Sequence, residues 1–188
     1  GDPGSTIRLY DGTSLVGTAI VNVNGSWTIT PSAPLADGGH TFTGSATDAA
    51  GNSSPLSQPI NVVIDTLSPL APTLISVSQD TGNPTDRNTS DNTFTITGTA
   101  GSAEPGSTIT VYDSSSGSPV AVGTAVVQPN GSYSVTTSVL ADGLHPLSIT
   151  ATDASGNESQ PTSVNTWTID TAAPAAPTVG SVSQDTGN

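Results

Sequence analysis

Residues 93–97 read Thr-Phe-Thr-Ile-Thr, polar and apolar by turns, and this period of two recurs along the chain. Such a period sends successive side chains to opposite faces of a strand. It predicts strands at 73–79, 93–97, 108–112, 120–127 and 164–169. Two further strands carry Tyr133 with Val135, and His145 with Leu147, Ile149 and Ala151, on their inward faces. Phe94, Ile96, Ile109, Val111 and Trp167 complete the expected core. Between the strands lie a long polar loop from Asp80 to Asp91, a turn at 103–106 and polar loops at 114–119 and 153–160. Asn130-Gly131 predicts a hairpin turn, since a tight hairpin needs positive φ and Asn-Gly supplies it.

Seven short strands with turns roughly 8–12 residues apart predict an all-β fold, a Greek-key sandwich of the immunoglobulin-like kind. One local feature agrees: Asp142-Gly143-Leu144-His145-Pro146-Leu147 resembles the tyrosine corner of such domains, with His145 in the tyrosine's place. His40 and Phe42 repeat it. Both histidines are expected at the edge of a core, not on a metal, and Trp27, Tyr133 and Trp167 are expected inside it. There is no cysteine, hence no disulfide, and the third strand has no tryptophan, so the antibody type is excluded.

The pattern occurs more than once. Ser76–Asn83, Ser-Val-Ser-Gln-Asp-Thr-Gly-Asn, returns unchanged at Ser181–Asn188. Asp2-Pro-Gly-Ser-Thr-Ile is matched by Glu104-Pro-Gly-Ser-Thr-Ile, Leu35-Ala-Asp-Gly by Leu140-Ala-Asp-Gly, and Ile64-Asp-Thr by Ile169-Asp-Thr. The period is about one hundred residues, a common domain size. With the boundary in the proline-containing linker after Asp65 and Asp170, residues 1–70 form a repeat lacking its N-terminal strands. Residues 71–175 form a complete repeat, and 176–188 begin a third. The chain is therefore expected to be an excerpt of a longer tandem array.

Composition narrows the function. Only 9% of residues are charged, and the net charge is −13. Phosphate recognition needs clustered Lys and Arg, and Arg8 and Arg87 are the sole basic side chains, so nucleic acid is excluded as a partner. An anionic membrane surface is disfavoured on the same ground, and no apolar run is long enough to span a bilayer. The charge favours divalent cations instead. Thirteen of the acidic residues are Asp, the residue of turns and caps rather than helix faces.

The expected topology gathers those carboxylates at the two ends of a sandwich. Loops at Glu104, Asn130 and 153–158 fall at the leading pole; Asp80–Asp91, Asp113, Asp142 and Asp170 fall at the trailing pole. Like charges so placed repel unless cations sit among them, and calcium takes six to eight oxygens from carboxylates, carbonyls and amides. The candidate joint site unites Asp65 and Asp37 with Glu104, Asp153 and Asn157. Asp48 is the first repeat's counterpart of Asp153. A second candidate combines Asp80, Asp86 and Asp91 with Asp142 and Asp170. The competing reading makes the same residues turn formers held by side-chain-to-backbone bonds. Asp80–Asp91 lacks EF-hand spacing.

Thr-Gly-Thr-Ala, Glu-Pro-Gly-Ser-Thr-Ile-Thr-Val-Tyr-Asp, Asn-Gly-Ser-Tyr, Leu-Ala-Asp-Gly, Ala-Thr-Asp-Ala-Ser-Gly-Asn and Ile-Asp-Thr, in that order, resemble the immunoglobulin-like repeats of giant Gram-negative surface adhesins, the Bap-like and SiiE-like proteins. The resemblance covers essentially the whole chain. It implies an extracellular stalk on the bacterial surface, type I secretion and calcium ions that stiffen the joints between repeats. The partners it implies are the neighbouring repeats, with host-cell or biofilm-matrix ligands reached through other parts of the parent protein. The function expected is a structural spacer in adhesion or biofilm formation. The alternative is a module that binds a host glycan or protein. No nucleophile with a repeated Ser/His/Asp spacing, no phosphate loop and no paired Glu are present, so no enzyme activity is expected.

Overall fold

The structure, a computed structural model, describes residues 1–78 and 80–181. Gln79, the end of the first strand expected in the complete repeat, lies outside the described residues, as does most of the segment 176–188. The chain divides into two compact units, Gly1–Leu67 and Ser68–Asn188. The described residues form strands and turns with no helix.

The first unit is one antiparallel sheet. Its strands are β1 (Thr6–Asp11), β2 (Ser14–Ile20), β3 (Gly38–Thr47) and β4 (Ile60–Ile64), in the order β2-β1-β3-β4. Ile7 and Val21 are its buried apolar side chains.

The second unit is a sandwich of two sheets. Strands β5 (Ser76–Val77), β7 (Thr95–Gly98) and β10 (Tyr133–Thr136) form one layer, ordered β10-β7-β5. The other holds β6 (Asn88–Thr89), β8 (Thr108–Asp113), β9 (Val120–Val126), β11 (Gly143–Thr152) and β12 (Thr162–Ile169), ordered β6-β12-β11-β8-β9. The core lies between them. Phe94 and Ile96 from one layer are fully buried against Ile109, Val111 and Ile149 of the other. The Phe94 ring tilts against Trp167 at a centroid distance of 5.1 Å. The expected inward residues of β8, β10 and β11 are buried, and on β11 Thr150 between Ile149 and Ala151 is buried as well.

Three elements differ from expectation. The Asn130-Gly131 turn is not a hairpin within one sheet: β9 pairs with β8, while β10 pairs with β7 in the opposite layer. The local signature is real, since Gly131 has φ +82° and Gln128 N–H donates to the Ser132 carbonyl at 2.8 Å. The strands then part because Ile96 and Gly98 claim the backbone of Val135 and Tyr133. Second, the strand expected at 73–79 is a ladder over Ser76–Val77 alone, extended by bonds from Ile75 to Thr97 and from Ser78 to Thr95. Third, the polar loop contains β6, which runs parallel to β12. Polar Asn88 and Thr89 give no apolar alternation by which to find it.

Trp27 also departs from expectation. It is 41% exposed, whereas its counterpart Tyr133 is 3% exposed. Tyr133 is covered because β7 and β5 lie beside it and its hydroxyl donates to the Thr73 carbonyl at 2.8 Å. Trp27 has no such layer beside it within its own unit.

Candidate functional site

Strand register fixes where the carboxylates stand. Thr108 pairs with both Thr152 and Val126, so the Glu104 turn, the 153–158 loop and the Asn130 turn share one end of the second unit. Gly143 pairs with Ile169, which brings Asp142 and Asp170 together at the other end. Thr89 belongs to that end as well, because Asp170 N–H donates to its carbonyl at 3.0 Å.

Most of these carboxylates have a local role. Asp153 Oδ1 accepts from the Ser155 and Asn157 N–H groups at 2.8 and 2.9 Å, and Oδ2 from Asn157 Nδ2 at 2.9 Å. These bonds hold the Asp153 carboxyl below the usual carboxylate range, the Asn157 side chain being the main cause. Asp48 repeats the arrangement with Ala50 and Asn52, and its carboxyl is lowered chiefly by the Asn52 side chain. These are turns closed by side-chain-to-backbone bonds.

At the opposite end Asp37 Oδ1 accepts both the N–H and the hydroxyl of Thr66, at 3.0 and 2.9 Å. Asp142 does the same with Thr171, at 3.1 and 2.9 Å. Asp65 accepts the Leu67 N–H at 3.1 Å and Asp170 the Ala172 N–H at 3.0 Å. The corner aspartate thus clasps the second residue after the last strand in both units. Threonines 66 and 171 were not singled out from the sequence, although their repetition after Ile-Asp is the signal that marks them.

The 80–91 loop is tied differently. Asp86 Oδ1 accepts the Asn88 N–H at 2.9 Å, and Asp91 Oδ1 accepts the Thr93 N–H at 3.0 Å. Asp80 Oδ2 accepts the N–H of Arg87, which stands at φ +60°. Asp80 Oδ1 is buried and has no hydrogen-bond partner among the described residues. Buried polar atoms are normally satisfied, so this oxygen is one that a cation or donor would complete. Glu104 is exposed, and its backbone carbonyl receives the Ser107 N–H and hydroxyl. Among the described residues, no three acidic or histidine side chains gather tightly enough within a unit to hold an ion by themselves.

The histidine corner supplies the bond that tyrosine would have made. His145 Nε2 lies 2.8 Å from the Ala141 carbonyl and Nδ1 lies 2.8 Å from Asp113 Oδ2. His40 repeats it, 2.8 Å from the Ala36 carbonyl and 2.6 Å from Asp11 Oδ2. The Asp11 bond is the main reason the His40 imidazole is raised and the Asp11 carboxyl lowered. Burial raises Asp113, but bonds from Ser115 and His145 outweigh it, and the carboxyl ends below its usual range. Asp11 and Asp113 were missed as histidine partners. They end β1 and β8, a strand away from the corner, so only the fold joins them.

Residues 82–167 match the bacterial Ig domain family, and residues 1–66 match the bacterial Ig-like domain family. Both segments are bacterial immunoglobulin-like domains. Among solved structures, the chain is similar to the fibronectin(III)-like modules of Clostridium thermocellum CbhA. The identity is 20% and the TM-score 0.54, over 89% of this chain and 79% of that one. This likeness supports the sandwich fold. A tetra-tandem repeat from the extending region of a large adhesion protein matches at 27% identity and a TM-score of 0.37, over 90% of this chain and 42% of that one. A bacterial ice-binding adhesin matches at 25% identity and a TM-score of 0.39, over 90% and 53%. The immunoglobulin-like chain therefore spans about half or less of those two adhesin chains. No curated protein matches it.

Proposed function

We propose that the chain is a spacer segment of a bacterial cell-surface adhesin, a run of immunoglobulin-like domains whose carboxylates bind calcium. The observation that carries the spacer reading is the residue-for-residue repetition of the end loops. Asp37 and Asp142, Asp48 and Asp153, and the two histidine corners make the same bonds in both units. A recognition module diversifies its loops, whereas a spacer repeats them. The family matches and the adhesion proteins named above are consistent with an extracellular, surface-attached role and with neighbouring repeats as partners.

Calcium is the finer part of the proposal, and its support is the orphan oxygen of Asp80. A hard cation at that oxygen would draw further oxygens from Asp86 and Asp91 of the same loop and from Asp142 and Asp170 at the same end of the unit, carboxylates that among the described residues do not gather into a site by themselves. The ion would neutralise converging carboxylates and restrain the loops that carry them. The test is thermal melting of the full chain in calcium and in chelator, with Asp80→Asn beside it. Calcium is expected to raise the melting temperature of the native chain. Asp80→Asn is expected to lose that increment without losing stability in chelator, because the amide oxygen can still accept the Arg87 N–H. An Asp80→Asn chain with the full calcium response would reject Asp80 as a ligand.

A further inference from the structure

On the second unit, β8 and β11 border a cleft of about 370 Å³, lined by Tyr112, Pro119, Ser148, Thr150, Glu158 and Pro161 among others. Strand register builds its floor. Ser148 pairs with Tyr112 on the face turned away from the core, while their chain neighbours Ile149 and Val111 are fully buried. A bridge between Thr152 and Glu158 lays Glu158 beside β11. Glu158 Oε1 accepts the Tyr112 hydroxyl at 3.2 Å and the Thr150 hydroxyl at 2.7 Å. Burial, and after it the Glu158 charge, raises the Tyr112 hydroxyl above its ordinary value, so it keeps the proton it donates. Glu158 Oε2 and the Ser148 hydroxyl have no hydrogen-bond partner among the described residues.

Three of these residues have no counterpart in the first unit. Ser53 stands at the place of Glu158 and Leu56 at that of Pro161. Pro119 belongs to a loop with six residues between the paired Asp113 and Val120, where the first unit has two between Asp11 and Ser14. Tyr10 and Ser45 do hold the places of Tyr112 and Thr150. The second repeat thus keeps the strand residues and changes the loops around one cleft, as a recognition site grafted on a repeated frame would.

We infer that this cleft is a binding subsite for one pyranose ring of an uncharged glycan. The Tyr112 ring and the two prolines offer apolar surface to the C–H face of a sugar. Glu158 Oε2 accepts hydrogen bonds, and the Ser148 hydroxyl both donates and accepts, which suits neighbouring sugar hydroxyls. A net charge of −13 repels acidic sugars. A lone cation would use the carboxylate and leave Ser148 and the proline walls without a role. The volume lies at the small end of ligand clefts, which run from about 300 to 1,000 Å³. Neither the spacer reading nor calcium enters into this assignment.

The test titrates the ¹⁵N-labelled full chain, in chelator, with the methyl pyranosides of glucose, mannose, galactose and N-acetylglucosamine in turn. At least one is expected to shift the Tyr112, Ser148 and Glu158 amide signals saturably, leaving those of Tyr10, Thr43 and Ser53 in place. The dissociation constant is expected in the millimolar range, ordinary for so small a ligand. Glu158→Ser places the first unit's residue at an exposed position. It is expected to weaken binding about tenfold or more with the melting temperature unchanged. Tyr112→Phe keeps the ring, frees Glu158 and is expected to weaken binding less. Three results would overturn the assignment. In the first, none of the four glycosides moves these signals. In the second, Glu158→Ser binds as the native chain does. In the third, methylammonium moves the same signals at lower concentration than any glycoside, which would make the cleft a cation site.

Discussion

At the scale of single residues, His40 is the titrating group best placed to report on its unit. Both ring nitrogens face acceptors, Asp11 and the Ala36 carbonyl, so the ring satisfies both when it carries both protons. Its pKa is raised above 6.5 and that of Asp11 is lowered below 3.8. A raised histidine contributes stability that is complete below pH 6.5 and fades as pH rises through the folded value. A lowered carboxylate contributes stability above pH 3.8 that fades as pH falls through its folded value. The pair is therefore strongest between these limits. A proton NMR titration is expected to place the His40 midpoint above 6.5, and Asp11→Asn to move it down; a midpoint unmoved by that substitution would remove the pair. The sequence disclosed the corner and the histidine in it, because Asp-Gly-x-His is local. It did not disclose Asp11, which reaches His40 only through the β1–β3 pairing.

At the scale of elements, strands with one buried face were legible and those defined by partners were not. β8 and β11 announce themselves by alternation, because one row of side chains meets the core and the other does not. β6 has two polar residues and exists because Thr168 and Asp170 donate to the Arg87 and Thr89 carbonyls. The β9–β10 connection misled for a related reason: turn chemistry states how the chain reverses, not which sheet it enters. Gly131 is held there twice over. Its φ is +82°, and a Cβ would stand 2.7 Å from the Gly101 nitrogen. Gly131→Ala is expected to destabilise the second unit by about 1–3 kcal/mol in urea unfolding, through strain and displaced backbone. Phe94→Ala is expected to cost about 3–5 kcal/mol, since the ring is fully buried against Trp167. A loss under about 1 kcal/mol for Phe94→Ala would mean that the two layers are not packed as described.

At the scale of the molecule, two immunoglobulin-like units follow one another with the same end loops, the second opening on a proline-containing stretch at residues 68–72. The repeat itself was plain in the sequence, because identical motifs recur in order. The double use of the Asp residues was less so. Asp48 and Asp153 close turns and Asp37 and Asp142 clasp threonines, roles that the spacing of Asp, Gly and Asn permits but does not distinguish from ligation. Asp80 stands apart, since its Oδ1 has no donor among the described residues. The central claim is that calcium converts this carboxylate-bearing pair of units into a stiff spacer. Small-angle X-ray scattering of the full chain, in calcium and then in chelator, tests it most directly. The account predicts that calcium lengthens the maximum dimension and narrows the distribution of shapes, reversibly. Identical scattering in the two conditions would contradict it, leaving the aspartates as turn formers and the spacer without its stiffening ion.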